Sequence, residues 1–175
     1  MGEIFLIITL SSPILFILFG ILGALAPSRS TCIDSEFIDA PISEVWASVV
    51  NFSNYPTWVS YVSEMTVDHH DSSIWLQEGH IVPIRFQVSS HTSQETIILK
   101  STPGNVPGKN INIESLRAIR LESIDDNKTK VTLEETTEVL DPLLKSYLFF
   151  YLYFFEQKKT LGRLYLDSLQ KRFKV

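Results

Sequence analysis

The sequence predicts an α+β domain, an antiparallel sheet backed by a long C-terminal helix, behind an N-terminal transmembrane helix. Three observations carry this. About seven runs of alternating apolar and polar residues fill the middle of the chain, most of them separated by turn-formers. From Pro142 to Phe173 apolar side chains recur at spacings of three, four or seven, the signature of a helix with one buried stripe. From Ile4 to Leu25 there is no charged side chain in 22 residues.

As a helix, that first stretch reaches roughly 33 Å, close to the ~30 Å hydrocarbon thickness of a bilayer. A cleaved signal peptide is the rival reading. Its leading segment should be basic, yet the side-chain charge here is Glu3; Ala24-Leu25-Ala26 resembles a cleavage site, but Pro27 follows it. The expectation is an uncleaved single-pass anchor, with residues 1–30 forming anchor and linker and residues 31–175 the folded domain. The linker, residues 26–30, is so short that the domain must sit against the bilayer. Glu3 and Arg29 favour a cytoplasmic domain, while sequons at Asn51 and Asn127 favour the opposite side, so orientation stays open.

Thr31–Ile38 reads as a first strand, with Ile33 and Phe37 on one face and Asp34 and Glu36 on the other. Asp39-Ala40-Pro41 ends it. A helix follows from Ile42 to Asn51, burying Val45, Trp46, Val49 and Val50 and opened by Pro41 or Ser43. Phe52–Pro56 is a turn-rich joint, and Thr57–Val62 a second short helix. Further strands are expected at Ser63–His69, Ser73–Gln77, Ile81–Ser89, Glu95–Ser101, Ile111–Ile124 and Lys130–Val139. Turns fall at Asp71-Ser72, Ser90–Ser93, Pro103–Asn110 and Asp125–Lys128. Near Ala118-Ile119 the alternation slips by one, which predicts a bulge. No crossover helix separates the late strands, so they should pair antiparallel.

The last helix, Pro142–Phe173, would be about 48 Å long. Asp141 is its N-cap and Pro142 its first residue. Leu143, Tyr147, Phe150, Phe154, Leu161, Tyr165 and Leu169 form its stripe; after Phe155, Glu156, Lys159, Arg163, Asp167 and Gln170 face water. The front half, Tyr147–Phe155, is aromatic or leucine throughout and needs cover on two sides. It is far too short to span a bilayer. Phe149, Leu152 and Tyr153 could cover the short helices, dip into the membrane interface or pack on the anchor.

Composition excludes several classes. Charged residues are 20% and hydrophobics 45%, so the chain is not disordered. Net charge is −5 with no long basic run, which argues against nucleic acid as a partner. One cysteine, Cys32, rules out an intrachain disulfide and a cysteine-ligated metal cluster. No cofactor is called for: there is no nucleophile elbow, phosphate loop or zinc spacing. His69 and His70 are adjacent on a strand and point apart, so a solvated turn is the expectation; His80 and His91 stand alone.

Ala40-Pro41, Val45-Trp46, Phe52, Tyr55-Pro56 and Trp58 together resemble the opening of the SRPBCC, or StAR-related lipid-transfer-like, superfamily, in its polyketide cyclase/dehydrase and lipid-transport branch. With the late strand KTKVTLEETTEV and the closing helix, the resemblance covers about residues 32–173. It implies a helix-grip fold, in which a curved sheet wraps the C-terminal helix and two short helices close one end. It also implies a cavity for an apolar ligand between sheet and helix, and transfers no catalytic residue.

Candidate walls of that cavity are Ile84, Phe86, Val88, Ile97, Leu99, Leu116, Ala118, Leu133, Tyr147, Phe150 and Phe154, with Trp58 or Tyr61 at the mouth. The alternative is that these side chains simply pack as a core. Glu135 shares a strand face with Val131 and Leu133. A carboxylate turned into the cavity would have a raised pKa suited to general-acid work. The competing reading, in which Glu134 and Glu135 are both solvated, is preferred. Three functions follow: a membrane-tethered module for a lipid or other hydrophobic molecule, a cyclase or dehydratase, or an assembly protein with a degenerate cavity. The first needs only greasy walls and a gate, for which the front of the last helix, Tyr147–Phe155, opening toward the membrane, is the candidate, and the sequence favours it over an enzyme.

Overall fold

Seven strands of period-two sequence join edge to edge in the computed structural model. It describes residues 17, 20, 21, 23–25, 28–79, 83–101, 104–106, 109–111, 113–139, 141–150 and 160–174, with side chains described outside 104–113 and 148–150. The strands are β1 (Arg29–Ile38), β2 (Val62–Val67), β3 (Ile74–Gly79), β4 (Ile84–Thr92), β5 (Thr96–Ser101), β8 (Ile113–Asp125) and β9 (Lys128–Val139). All pairings are antiparallel, in the order β1-β9-β8-β5-β4-β3-β2. A separate hairpin, β6 (Gly104–Val106) with β7 (Lys109–Ile111), occupies the predicted loop Pro103–Asn110.

The long strands follow their alternation. On β9, Thr129, Val131, Leu133 and Glu135 are buried while the residues between them are half-buried. The β8–β9 turn is set by Asp125, whose Oδ1 accepts from Asn127 N at 2.9 Å. The predicted bulge at Ala118-Ile119 is absent: β5 and β8 keep one register through Ile97↔Ile119 and Ile98↔Ala118. Register shifts fall instead at Val62/Glu64, Val88/Ser90 and Ser123/Asp125.

Helix α1 (Ile42–Val50) follows Pro41, whose φ of −59° suits a helix start, and buries Val45 and Val49. Phe52–Thr57 is a 3-10 helix, with Thr57 Oγ1 donating to Asn54 O at 2.7 Å. The predicted helix Thr57–Val62 does not form. The tight turn uses the preceding residues, and Val62 already belongs to β2.

The single terminal helix is interrupted: among the described residues it is α2 (Pro142–Phe150) and α3 (Leu161–Phe173), with Thr160 outside either helix. Asp141 caps α2 as expected, its Oδ1 accepting from Leu144 N at 2.9 Å. Thr160 breaks the run: its ψ of 161° is extended, and its hydroxyl accepts from Arg163 N at 3.0 Å. Thr160 is thus the N-cap of a new helix, satisfying a donor that a continuous helix would bond internally.

α3 lies on β1 and β9. Leu164, Tyr165, Leu166 and Leu169 bury there. Gly162 permits the close approach, since a Cβ would come 2.8 Å from Leu133 Cδ2. A polar clasp runs alongside. Asp34 Oδ2 accepts from Thr160 Oγ1 at 2.7 Å, Glu36 Oε2 from Arg163 Nη2 at 2.6 Å, and Glu36 Oε1 from Gln170 Nε2 at 3.1 Å. β1 therefore turns its carboxylates toward the helix and leaves Ile33 and Phe37 exposed. Arg163, Asp167 and Gln170, expected in water, are half-buried at this margin.

No helix among the described residues is long and apolar enough to cross a membrane. Most of the predicted anchor, residues 4–25, lies outside the described residues, as do residues 151–159 of the predicted aromatic front.

Candidate functional site

β8 and β9 bring an arginine and a glutamate together on the buried face of the sheet. Arg117 and Glu135 are direct cross-strand partners, and opposite charges so placed attract. Arg117 Nη2 donates to Glu135 Oε1 at 2.8 Å, with side chains 8% and 4% exposed. Ser115 Oγ reaches the same oxygen at 3.4 Å. The guanidinium also stands over the Tyr165 ring, 5.8 Å from its centroid. The pair lies beside a small cleft, with about 20 Å³ of free space, lined by Gln77, Ile84, Phe86, Leu99, Ser101, Ser115 and Arg117.

One end is closed by aromatic rings. Phe52 meets Tyr55, Trp75 and Phe86 edge-on at centroid distances of 5.4–5.5 Å, and Trp58 packs on Tyr55 and Tyr165 at 5.0 and 5.3 Å. Tyr55 donates its hydroxyl to Val49 O at 2.7 Å, and the Tyr55 and Tyr165 hydroxyls share a hydrogen bond of 3.1 Å. Four buried polar atoms have no hydrogen-bond partner among the described residues: Trp58 Nε1, Tyr61 Oη, Arg85 Nε and Arg117 Nε.

Burial sets the acid–base behaviour. It pushes the Tyr55, Tyr61 and Tyr165 hydroxyls above the ordinary tyrosine range, since an ionised phenol cannot be hydrated there. Burial works against the Arg117 charge, but Glu135 outweighs it and holds the guanidinium protonated. Cys32 is likewise raised, first by burial and then by the nearby Glu135 and Asp34 carboxylates. Each tyrosine proton binds more tightly in the folded chain than in the unfolded one. Stability from this source is complete below the unfolded pKa of about 10 and is lost above it. In an alkaline titration followed by tyrosinate absorbance, Tyr55, Tyr61 and Tyr165 should ionise only as the chain unfolds. Reversible ionisation of all six tyrosines without loss of structure would contradict this.

Of the predicted walls, Ile84, Phe86 and Leu99 do line the cleft. Ile97 and Leu133 are fully buried in the core. Leu116 and Val88 are corrected: they are 48% and 37% exposed, on the opposite face. Ala118 is on that face too, because Arg117, Ile119 and Leu121 are the inward residues of β8. Tyr61, expected at the mouth, is 5% exposed, whereas Trp58 is half-buried in the aromatic end. Tyr147 is 43% exposed on α2. The Phe150 side chain and Phe154 lie outside the described residues. Glu135 does face inward, and the preferred solvated reading is overturned by its partner. Sequence reasoning missed that partner, Arg117, along with Gln77, Ser101 and Ser115. The usable signal was the hairpin turn at Asp126, from which Arg117 and Glu135 are equidistant.

Elsewhere, His69 and His70 sit by a turn at which Asp68 Oδ1 accepts from His70 N, and Asp68 Oδ2 pairs with Arg85 at 2.8 Å.

The fold is that of several solved structures. A conserved protein from Geobacillus kaustophilus is 15% identical, with a TM-score of 0.62 over 82% of this chain and 95% of that one. An aromatase/cyclase, Zhui, from Streptomyces sp. R1128 is 9% identical, with a TM-score of 0.59 over 82% and 93%. A START superfamily protein from Mycobacterium smegmatis is 12% identical, with a TM-score of 0.58 over 82% and 96%. At such identities these likenesses establish the fold alone. No curated protein matches the sequence. The family model for polyketide cyclase/dehydrase and lipid transport matches residues 38–146, more than half of the chain, from the end of β1 into α2. The chain belongs to the polyketide cyclase/dehydrase and lipid transport family.

Proposed function

We propose that the chain is a membrane-tethered binding or transfer module for a lipid or other small hydrophobic molecule held between sheet and C-terminal helix. The observation that carries this is a small concavity on the buried face of the sheet, with Ile84, Phe86 and Leu99 on its walls and about 20 Å³ of free space that would have to widen to admit a ligand. An apolar concavity with a few convergent polar groups is the usual form of a small-molecule site. The tether rests on the uncharged residues 4–25. It gains support from exposed Ile17, Ile21 and Leu25, spaced four apart on one helical face, and from exposed Leu143 and Tyr147 on α2. The two segments meet closely: a Cβ on Gly23 would collide with Pro142 O. A tether and a domain helix sharing one apolar surface would hold the domain at the bilayer.

The test is to purify the full chain in mild detergent and identify co-extracted small molecules by mass spectrometry. A stoichiometric apolar compound is expected. An empty chain that also fails to take up an apolar dye would overturn the reading. For the tether, the chain should float with phosphatidylcholine vesicles, and flotation should be lost on deleting residues 1–27.

A second reading, a cyclase or dehydratase acting on an apolar substrate, is favoured by one observation. The buried Arg117–Glu135 pair beside the cleft is positioned charge that simple binding does not require. The aromatase/cyclase Zhui shares the fold. A turnover on an aromatic-forming polyketone substrate, lost when the pair is removed, would establish it over the binding reading.

A further inference from the structure

The outer face of the sheet carries a larger hollow than the buried cleft, of about 400 Å³. That volume is within the usual range of small-molecule sites. It lies where β1 and β8 begin and β9 and β5 end, with Arg29, Lys100, Glu114, Leu116, Thr136 and Glu138 on its walls. Strand alternation puts these six on the face opposite Arg117 and Glu135. The register sets them side by side. Arg29 stands opposite Glu138, and Glu138 opposite Glu114. Two residues along, Thr136 stands opposite Leu116, and Leu116 opposite Lys100. Two carboxylates thus stand together between two cations, across four strands and roughly 14 Å of sheet.

These charges do not settle one another. Like charges directly opposed on neighbouring strands, as at Glu114 and Glu138, are unfavourable. Among the described residues, none of Arg29, Lys100, Glu114 and Glu138 has an ion-pair partner, although Arg29 stands directly opposite Glu138. A local charge conflict of this kind points to a use beyond folding.

The pattern selects the ligand. A simple anion would reach Arg29 or Lys100 only beside two carboxylates. A simple cation between the carboxylates would leave both basic groups unmatched. A molecule with an ammonium and a phosphate a few atoms apart satisfies both signs, with the Leu116 side chain beneath it. Position names the source of that molecule. Arg29 opens β1 directly after the short linker, and α2 leaves the sheet at the same end, after Val139. The hollow is therefore at the end of the domain from which the tether departs. Exposed charges make weak contacts, so such a site works only where its ligand is held at high local concentration, as lipid is beside a tethered domain.

We propose that this outer hollow holds the zwitterionic headgroup of a membrane phospholipid, its ammonium between Glu114 and Glu138 and its phosphate at Arg29 or Lys100. The proposal rests on the tether reading of the preceding subsection and is independent of the buried cleft.

The experiment titrates the full chain, in a neutral sugar detergent, with glycerophosphocholine, glycerol 3-phosphate and choline, followed by calorimetry. Glycerophosphocholine should bind at least about fivefold more tightly than either of the other two. Glu114→Gln/Glu138→Gln should remove its advantage over glycerol 3-phosphate, and Arg29→Gln/Lys100→Gln its advantage over choline. All four side chains are exposed or half-buried, so both variants should fold. Equal binding of the three compounds, binding of none, or a preference unchanged in both variants would overturn the headgroup assignment. The chain is then placed in nanodiscs. In phosphatidylcholine discs the lipid should occupy the hollow and abolish glycerophosphocholine binding, while in phosphatidylglycerol discs binding should persist. Equal binding in the two discs would overturn a lipid source in favour of a free solute. A chain that binds glycerophosphocholine in detergent but enters neither disc would overturn the tether, and the lipid source with it, while leaving the charge assignment in place.

Discussion

Glu135→Ala should lower the unfolding free energy by about 3–5 kcal/mol, the largest single-residue effect expected in the chain. The reason is the residue left behind. Arg117 is 7% exposed, stays protonated at any accessible pH and would lose the carboxylate at 2.8 Å. Among the described residues, no other carboxylate lies within salt-bridge distance of it. The backbone offers little relief, since both strands are interior to the sheet, between β1 and β5. The pair itself is a poor source of net stability, because both ions were taken out of water to make it. Arg117→Met/Glu135→Leu should therefore recover most of the loss. Urea titrations followed by the fluorescence of Trp46, Trp58 and Trp75 measure both. A loss below about 1 kcal/mol for Glu135→Ala would mean that water reaches Arg117 freely, and the pair would not be the buried one described above.

Leu169→Ala should cost about 2–5 kcal/mol, and Leu143→Ala less than about 0.5 kcal/mol. Both residues fall on the apolar stripe predicted for one continuous helix, so sequence alone would weigh them equally. Leu169 is fully buried on α3, against β1 and β9. Its truncation leaves a void that a close-packed neighbourhood cannot collapse into. Leu143 is 41% exposed on α2. The contrast separates a helix packed across β1 and β9 from one that, among the described residues, meets the sheet at β9. Comparable losses at the two positions would restore the single long helix and refute the break at Thr160.

Most strands were legible because alternation reports directly on which face is buried. β9 shows it best, and its hairpin with β8 is announced by Asp125-Asp126-Asn127. β8 was misread by one residue for a specific reason. Hydrophobicity places leucine inside and arginine outside, and LRAIRL scanned that way puts Leu116 and Ala118 in the core. The fold inverts this, since Arg117 has a partner across the strand pair and Leu116 does not need one. The apparent bulge at Ala118-Ile119 was the trace of that inversion. The terminal helix failed differently: periodicity carried across the break, while the local cap chemistry of Thr160, with Gly162 two residues on, was passed over.

Residue order alone determined the strand spacing, the antiparallel α+β class, the family resemblance and the uncharged leading stretch, because these depend on neighbours within a few positions. Tertiary structure decided which side of β8 is interior, where the closing helix is cut, and that an ion pair sits at the cleft. Those outcomes depend on pairings between residues far apart in sequence, where the gain from meeting a specific partner exceeds the local preference of each residue by itself.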